Sequence, residues 1–180
     1  EDIDLLLDSR GGLTFVATED ISERSLLRLL QKVDRSFQKA SQTFRAMNQD
    51  GYLVDLIKPM RTPPWSGDQE TVGSDSDDLT AAEIEGLAWH ESAPPFESIA
   101  IDEKGEPLRI VATDPRVWAA HKLWLSKRQD RDAIKRRRDE AQARVVGHLV
   151  AKYLTYLEFI PEQMKMLPRS VFDDAKQLFV

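Results

Sequence analysis

Asp2-Ile3-Asp4-Leu5-Leu6-Leu7-Asp8, closed by Ser9-Arg10-Gly11-Gly12, is the stretch on which the fold turns. A short apolar run that stops at a Gly-Gly turn predicts a buried strand. Side chains alternate along a strand, so Asp2 and Asp4 share one face while Ile3, Leu5 and Leu7 share the other. Two carboxylates about 7 Å apart on one rigid strand can bracket divalent cations. A third acid, Asp55, interrupts the apolar run Tyr52-Leu53-Val54-Asp55-Leu56-Ile57. Its neighbours imply burial, where a carboxylate is costly unless its oxygens meet a metal or a partner. With the two strands adjacent, three carboxylates converge, and such hard oxygen donors favour Mg²⁺ and phosphoryl transfer. The ordinary alternative makes Asp2 and Asp4 edge-strand acids that discourage aggregation.

Working outward, Leu26, Leu27, Leu29, Leu30, Val33 and Phe37 recur at spacings of three and four. They predict an amphipathic helix from Ile21 to about Lys39, with Ser22 as its cap. Asn48-Gln49-Asp50-Gly51 lies between Phe44–Met47 and Tyr52–Ile57, the signature of a hairpin that Pro59 ends. Pro63, Pro64, Gly67, Gly73 and a Ser/Asp run predict a long loop from Thr62 to Asp78 that contains Trp65. A short helix is expected over Ala81–His90. Phe96–Ile101 and Leu108–Val111 bracket a second hairpin around Glu103-Lys104-Gly105-Glu106. Asp114-Pro115 then opens a helical stretch with an Asp cap and Pro at the first helical position. Further helices are expected over Ile134–Tyr156 and Pro168–Phe179. The order is that of an α+β protein: a mixed β-sheet with a flanking helix over residues 1–112, then a C-terminal helical lobe over 113–180.

Composition removes several classes of chemistry. The 180 residues contain no cysteine and three histidines, so no disulfide, thiolate nucleophile or Cys-ligated metal is available. No apolar run is long enough to cross a bilayer and no signal peptide opens the chain, which points to a cytoplasmic protein. The formal net charge is −6, so any nucleic-acid contact must be local. Ser66–Glu91 carries eight acids and neither Lys nor Arg, whereas Arg116–Arg144 carries ten bases and four acids. Asp75, Asp77 and Asp78 lack the glycine and terminal Glu of an EF-hand and are expected to be solvated loop acids. There is no Walker loop, nucleophile elbow or zinc helix.

Asp2-Ile3-Asp4-Leu5 followed some fifty residues later by Val54-Asp55-Leu56 resembles the catalytic core of the polymerase-beta-like nucleotidyltransferases. Asp114-Pro115-Arg116, His121-Lys122-Leu123, Lys135, Arg138-Asp139 and Gln142-Ala143 resemble the helical segment of a bacterial minimal nucleotidyltransferase-like family. The resemblance implies a palm-like sheet and Mg²⁺-dependent, two-metal transfer of a nucleoside monophosphate from an NTP. The acceptor would be a hydroxyl of a small molecule, protein or RNA. It makes Asp2, Asp4 and Asp55 the metal-binding and catalytic carboxylates, and Lys122 a contact to the nucleotide phosphates. Family members carry a Gly-Ser turn ahead of the paired acids. Gly11-Gly12 follows the acids here, so either an upstream segment supplies that turn, the expected case, or this molecule has lost its grip on the triphosphate. A non-catalytic interaction module of regulatory or antitoxin-like kind is the alternative.

The remaining helical residues have structural readings. His121 shares the Val117/Trp124 face, as a hydrogen-bonded core histidine would. Arg116 is placed to pair with Asp114. Lys135 and Asp139, four apart, are expected to form an ion pair. Arg136-Arg137-Arg138 point around a helix rather than to one side, a poor platform for RNA or DNA.

Overall fold

The computed structural model describes residues 2–6, 25–60 and 78–180. The chain forms two compact units, Glu1–Leu87 and Ala88–Val180. The expected loop that contains Trp65, the cap Ser22 and the acids Asp75 and Asp77 lie outside the described residues.

In the first unit, β1 (Asp2–Leu6) runs parallel to β4 (Leu53–Pro59), which forms a hairpin with β3 (Arg45–Met47). β2 (Gln38–Lys39) pairs antiparallel with β3, giving the order β1-β4-β3-β2. The expected hairpin is present, with Gly51 at φ +81 where a left-handed residue is needed. The Asn48 side chain accepts from the backbone N–H of Asp50 and Tyr52 and fixes the turn.

Helix α1 spans Leu26–Val33, shorter than its apolar spacing suggests. Asp34 stops it: the residue is extended, and its carboxylate accepts from the backbone N–H and hydroxyl of Ser36. That Asx turn competes with further helix, and Phe37 reaches the core from the segment beyond. Leu26, Phe37, Ala46, Val54 and Leu56 form one core with Leu79 and Ala81, and Leu5, Leu27 and Leu30 pack against it.

Two expectations fail around residues 78–92. Ala82–Ile84 is β5, a strand parallel to the end of β4, and only Leu87–Ser92 is helical, as α2. β3 pairs with β4 only as far as Asp55, and β5 takes up the stretch of β4 beyond it, with Lys58 opposite Glu83 and an ion pair of 3.7 Å between the two. Asp78 is not a solvated acid but is 1% exposed. Its carboxylate accepts from the backbone N–H of Leu26 at 3.0 Å and of Leu27 at 3.1 Å, and Ser25 Oγ accepts from Arg28. An anion held by the free N–H groups of a helix start is favourable both as a hydrogen-bond acceptor and against the helix dipole. Lys39 Nζ donates to the Asp78 carbonyl. The acid thus ties α1 to the strand-bearing segment that follows.

In the second unit, β6 (Phe96–Ile101) and β7 (Pro107–Ala112) form the expected second hairpin as a separate two-stranded sheet, with Gly105 at φ +84. α3 (Pro115–Ser126) starts at the Asp114 cap, whose carboxylate accepts from the backbone N–H of Arg116 at 2.8 Å. α4 (Ala133–Tyr153) and α5 (Arg169–Ala175) follow, and a 3-10 turn over Lys176–Phe179 closes the chain. Their core includes Val117, Ala120, Leu123, Ala143, Met164 and Phe172. Gly147 on α4 permits the closest approach, because a Cβ there would stand 2.6 Å from the Leu178 carbonyl oxygen. No helix among the described residues is long and apolar enough to cross a membrane.

Replacing Asp78 with Ala strips two helix-start N–H groups of their acceptor in a buried place. Asp78→Ala is expected to lower stability by about 1 to 3 kcal/mol in urea unfolding. A change within experimental error would refute the capping role.

Candidate functional site

The parallel pairing of β1 with β4 sets Asp2 opposite Leu53 and Asp4 opposite Asp55. Residues directly across a ladder point to the same side, so Asp4 and Asp55 are neighbours about 4.8 Å apart in strand spacing. Val54 and Leu56 face the core shared with α1, which puts Asp55 on the opposite side of the sheet. The side chain of Asp2 lies outside the described residues. Two of the three expected carboxylates are therefore brought side by side, and Asp2 stands two residues earlier on the same strand.

The row continues with a residue that sequence reasoning missed. Arg45 on β3 is the register partner of Asp55 on its other side. Its guanidinium donates to both carboxylate oxygens, Nε to Oδ1 at 2.6 Å and Nη2 to Oδ2 at 2.5 Å. Asp55 is 7% exposed. Its burial is offset by a bidentate, charge-assisted pair, the strongest geometry an arginine and a carboxylate can adopt. The signal was available, because counting back across the Asn48–Gly51 turn puts Arg45 opposite Asp55. Asp4 is exposed and also engaged in an interaction of its own.

The oxygens of Asp4 and Asp55 are hard donors of the kind Mg²⁺ takes, and their in-register placement suits a shared cation. Among the described residues no group of three or more acids or histidines forms a metal-sized cluster. The third donor of the expected set is Asp2.

Lys122 lies on α3 in the second unit, where it donates to Asp139 Oδ1 at 3.1 Å and stands 5.2 Å from the Trp118 ring centre. Asp139 is fully buried and also accepts from Arg131 Nε at 2.5 Å. Burial pushes its carboxyl up, but the hydrogen bonds and charges of Arg131 and Lys122 prevail and hold it below the ordinary 3.8. The expected Lys135–Asp139 pair is therefore replaced: Asp139 points inward, to cations on α3 and on the approach to α4, while Lys135 stays exposed.

The structural readings of Arg116 and His121 hold. Arg116 is 3% exposed and donates to both Asp114 oxygens, to the Glu158 carbonyl and to Gln163 Oε1. His121 is buried, with its Nδ1 2.9 Å from His90 Nε2 and its ring among Trp89 and Trp124. His90 Nδ1 is buried without a partner. A proton on His90 Nε2, donated to His121, leaves that orphan a lone pair rather than an unmatched N–H. Burial first, then the His121 ring and the Lys122 charge, push His90 down to about 3 against the opposing pull of Asp114.

A family model described as nucleotidyltransferase matches residues 1–167. The class suggested by the mixed sheet and its paired acids is thus that of enzymes that move nucleotidyl groups, which act on NTPs. The chain belongs to this nucleotidyltransferase family. Searches of curated proteins and of solved structures found no significant match.

The buried His90 yields a pH prediction. Its folded value lies below the ordinary 6.5, so between about pH 6.5 and 3 the unfolded chain takes up a proton that the folded chain refuses. The stabilisation is whole above pH 6.5 and is lost as the pH falls through that window. The Tm is expected to drop steadily on acidification over that range, and less steeply in His90→Phe. Equal slopes in the two proteins would contradict the assignment.

Proposed function

We propose that this nucleotidyltransferase transfers a nucleoside monophosphate from an NTP to a hydroxyl of its acceptor at the β1–β4 seam, with Asp2, Asp4 and Asp55 as the working carboxylates. The observation that carries the reading is the register that sets Asp4 beside Asp55 on adjacent parallel strands of a sheet. Asp2, Asp4 and Asp55 would hold two Mg²⁺ ions, which when bound would neutralise the triphosphate and acidify the acceptor hydroxyl.

Asp55 receives the proton of the acceptor hydroxyl. The freed oxygen bonds to the α-phosphorus while the bond from that phosphorus to the bridging oxygen breaks, and the electron pair leaves with pyrophosphate. Arg45 fixes the orientation of the Asp55 carboxylate and supplies a compensating charge beside it. Lys122 would contact the phosphates as a point charge, the role that the family resemblance implies.

One observation favours the non-catalytic alternative. Arg45 occupies both Asp55 oxygens, as it would in a module that keeps the fold without the chemistry. Pyrophosphate release from each of the four NTPs, with water as the default acceptor, separates the two readings. Release is expected to require Mg²⁺ and to fall about 100-fold or more in Asp4→Asn and in Asp55→Asn. Lys122→Met is expected to raise KM for the NTP several-fold with a smaller change in kcat. Equal release by wild type and Asp4→Asn, or none in wild type, would move the reading to the interaction module.

A further inference from the structure

We propose that Arg45 is a latch on the carboxylate seam. Without a nucleotide its guanidinium holds both oxygens of Asp55, and it yields one of them to a divalent cation as the freed N–H turns to the triphosphate of an NTP. This rests on the nucleotidyl-transfer reading of the seam and adds the regulation of that same site.

The geometry makes Arg45 and a cation competitors. Arg45 takes both Asp55 oxygens, Nε on Oδ1 at 2.6 Å and Nη2 on Oδ2 at 2.5 Å. The lone pairs that remain on those oxygens point away from the fork, and a divalent cation placed at them stands beside a guanidinium of the same sign. Asp55 is 7% exposed, so water screens that repulsion poorly. Among the described residues Arg45 is also the one side chain that pairs with Asp55. Its complete departure would leave a buried carboxylate without a partner, which is strongly destabilising. Release of a single oxygen avoids that cost, because the second bond keeps the carboxylate oriented. The Arg45 side chain is 27% exposed against 10% for that of Asp55, so the guanidinium can turn on its solvent side without unpacking the sheet.

Charge decides when the exchange takes place. Asp2, Asp4, Asp55 and Arg45 together carry a net of two negative charges. A pair of divalent cations alone would turn the row positive, with the guanidinium among them. A triphosphate supplies the balancing negative charge, and its oxygens match the planar fork of an arginine. Cation and nucleotide therefore load together, and each binds weakly without the other. The latch keeps the carboxylates in order while the site is empty and withholds Asp55 from a cation that arrives without its nucleotide.

Electron paramagnetic resonance of Mn²⁺, titrated into the whole chain without nucleotide, reads the cation side. Arg45→Met is expected to bind Mn²⁺ about tenfold more tightly than wild type, and Arg45→Met/Asp55→Asn to lose that gain. The nucleotide side is the Kd of non-hydrolysable analogues of the four NTPs in saturating Mg²⁺, where Arg45→Met is expected to bind several-fold more weakly. Opposite signs mark a latch, because a partner that only holds Asp55 in place would weaken both. Arg45→Lys keeps the charge but cannot fork onto two oxygens. It is expected to gain Mn²⁺ affinity while it holds the nucleotide nearly as wild type does, and it carries the test where circular dichroism shows Arg45→Met to be unfolded. Equal or weaker Mn²⁺ binding in the folded Arg45 variants, a gain that survives Asp55→Asn, or unchanged nucleotide affinity in Arg45→Met would each overturn the latch. The two proposals fail separately. Pyrophosphate release that needs Asp4 keeps the transfer reading whatever Arg45 does, whereas no release in wild type removes that reading and leaves the Mn²⁺ comparison to judge the exchange at Asp55.

Discussion

The parallel pairing of β1 with β4 is the constraint on which the first unit depends. Shifting β1 by one residue would carry Leu5 from the α1 side to the other face and turn Asp4 into the core. The hydrophobic burial of Val54, Leu56 and Leu5 therefore fixes the register, and the register in turn sets Asp4 beside Asp55. The position of the polar groups follows from the packing of the apolar ones.

Charge on that face is balanced locally. A buried carboxylate without a partner would be strongly destabilising, and Arg45 removes that cost through the hairpin already required by the Asp50-Gly51 turn. The second unit uses the same device with two cations in place of one. There a single buried acid, Asp139, gathers Lys122 and Arg131, which converts part of a basic run into internal structure. A basic stretch counted along the sequence is thus not a basic surface. Arg116 is buried as well.

Local rules made much of this visible in advance. The hairpin turns at Gly51 and Gly105, the Asp114-Pro115 helix start and the alternation of β4 depend on residues close in sequence, where turn and capping chemistry acts. What escaped was decided at long range. Asp78 looks like one more acid in an acidic run, and only the N–H groups of Leu26 and Leu27, more than fifty residues away, show why it is buried. Ala82-Glu83-Ile84 is too short to show a period, and the edge of β4 makes it a strand. The four-residue spacing of Lys135 and Asp139 satisfied a helix rule, but partners outside the helix won because Asp139 faces the interior. At the seam, the carboxylates were legible from alternation alone, while Arg45 required the register of the hairpin.

The central claim is that the in-register acids form a cation site for nucleotide chemistry. Isothermal titration of Mg²⁺ into the protein saturated with a non-hydrolysable NTP analogue addresses it without reference to any acceptor. The account predicts saturable binding in wild type that is lost in Asp4→Asn while the fold is retained. Identical binding isotherms in the two proteins would contradict it.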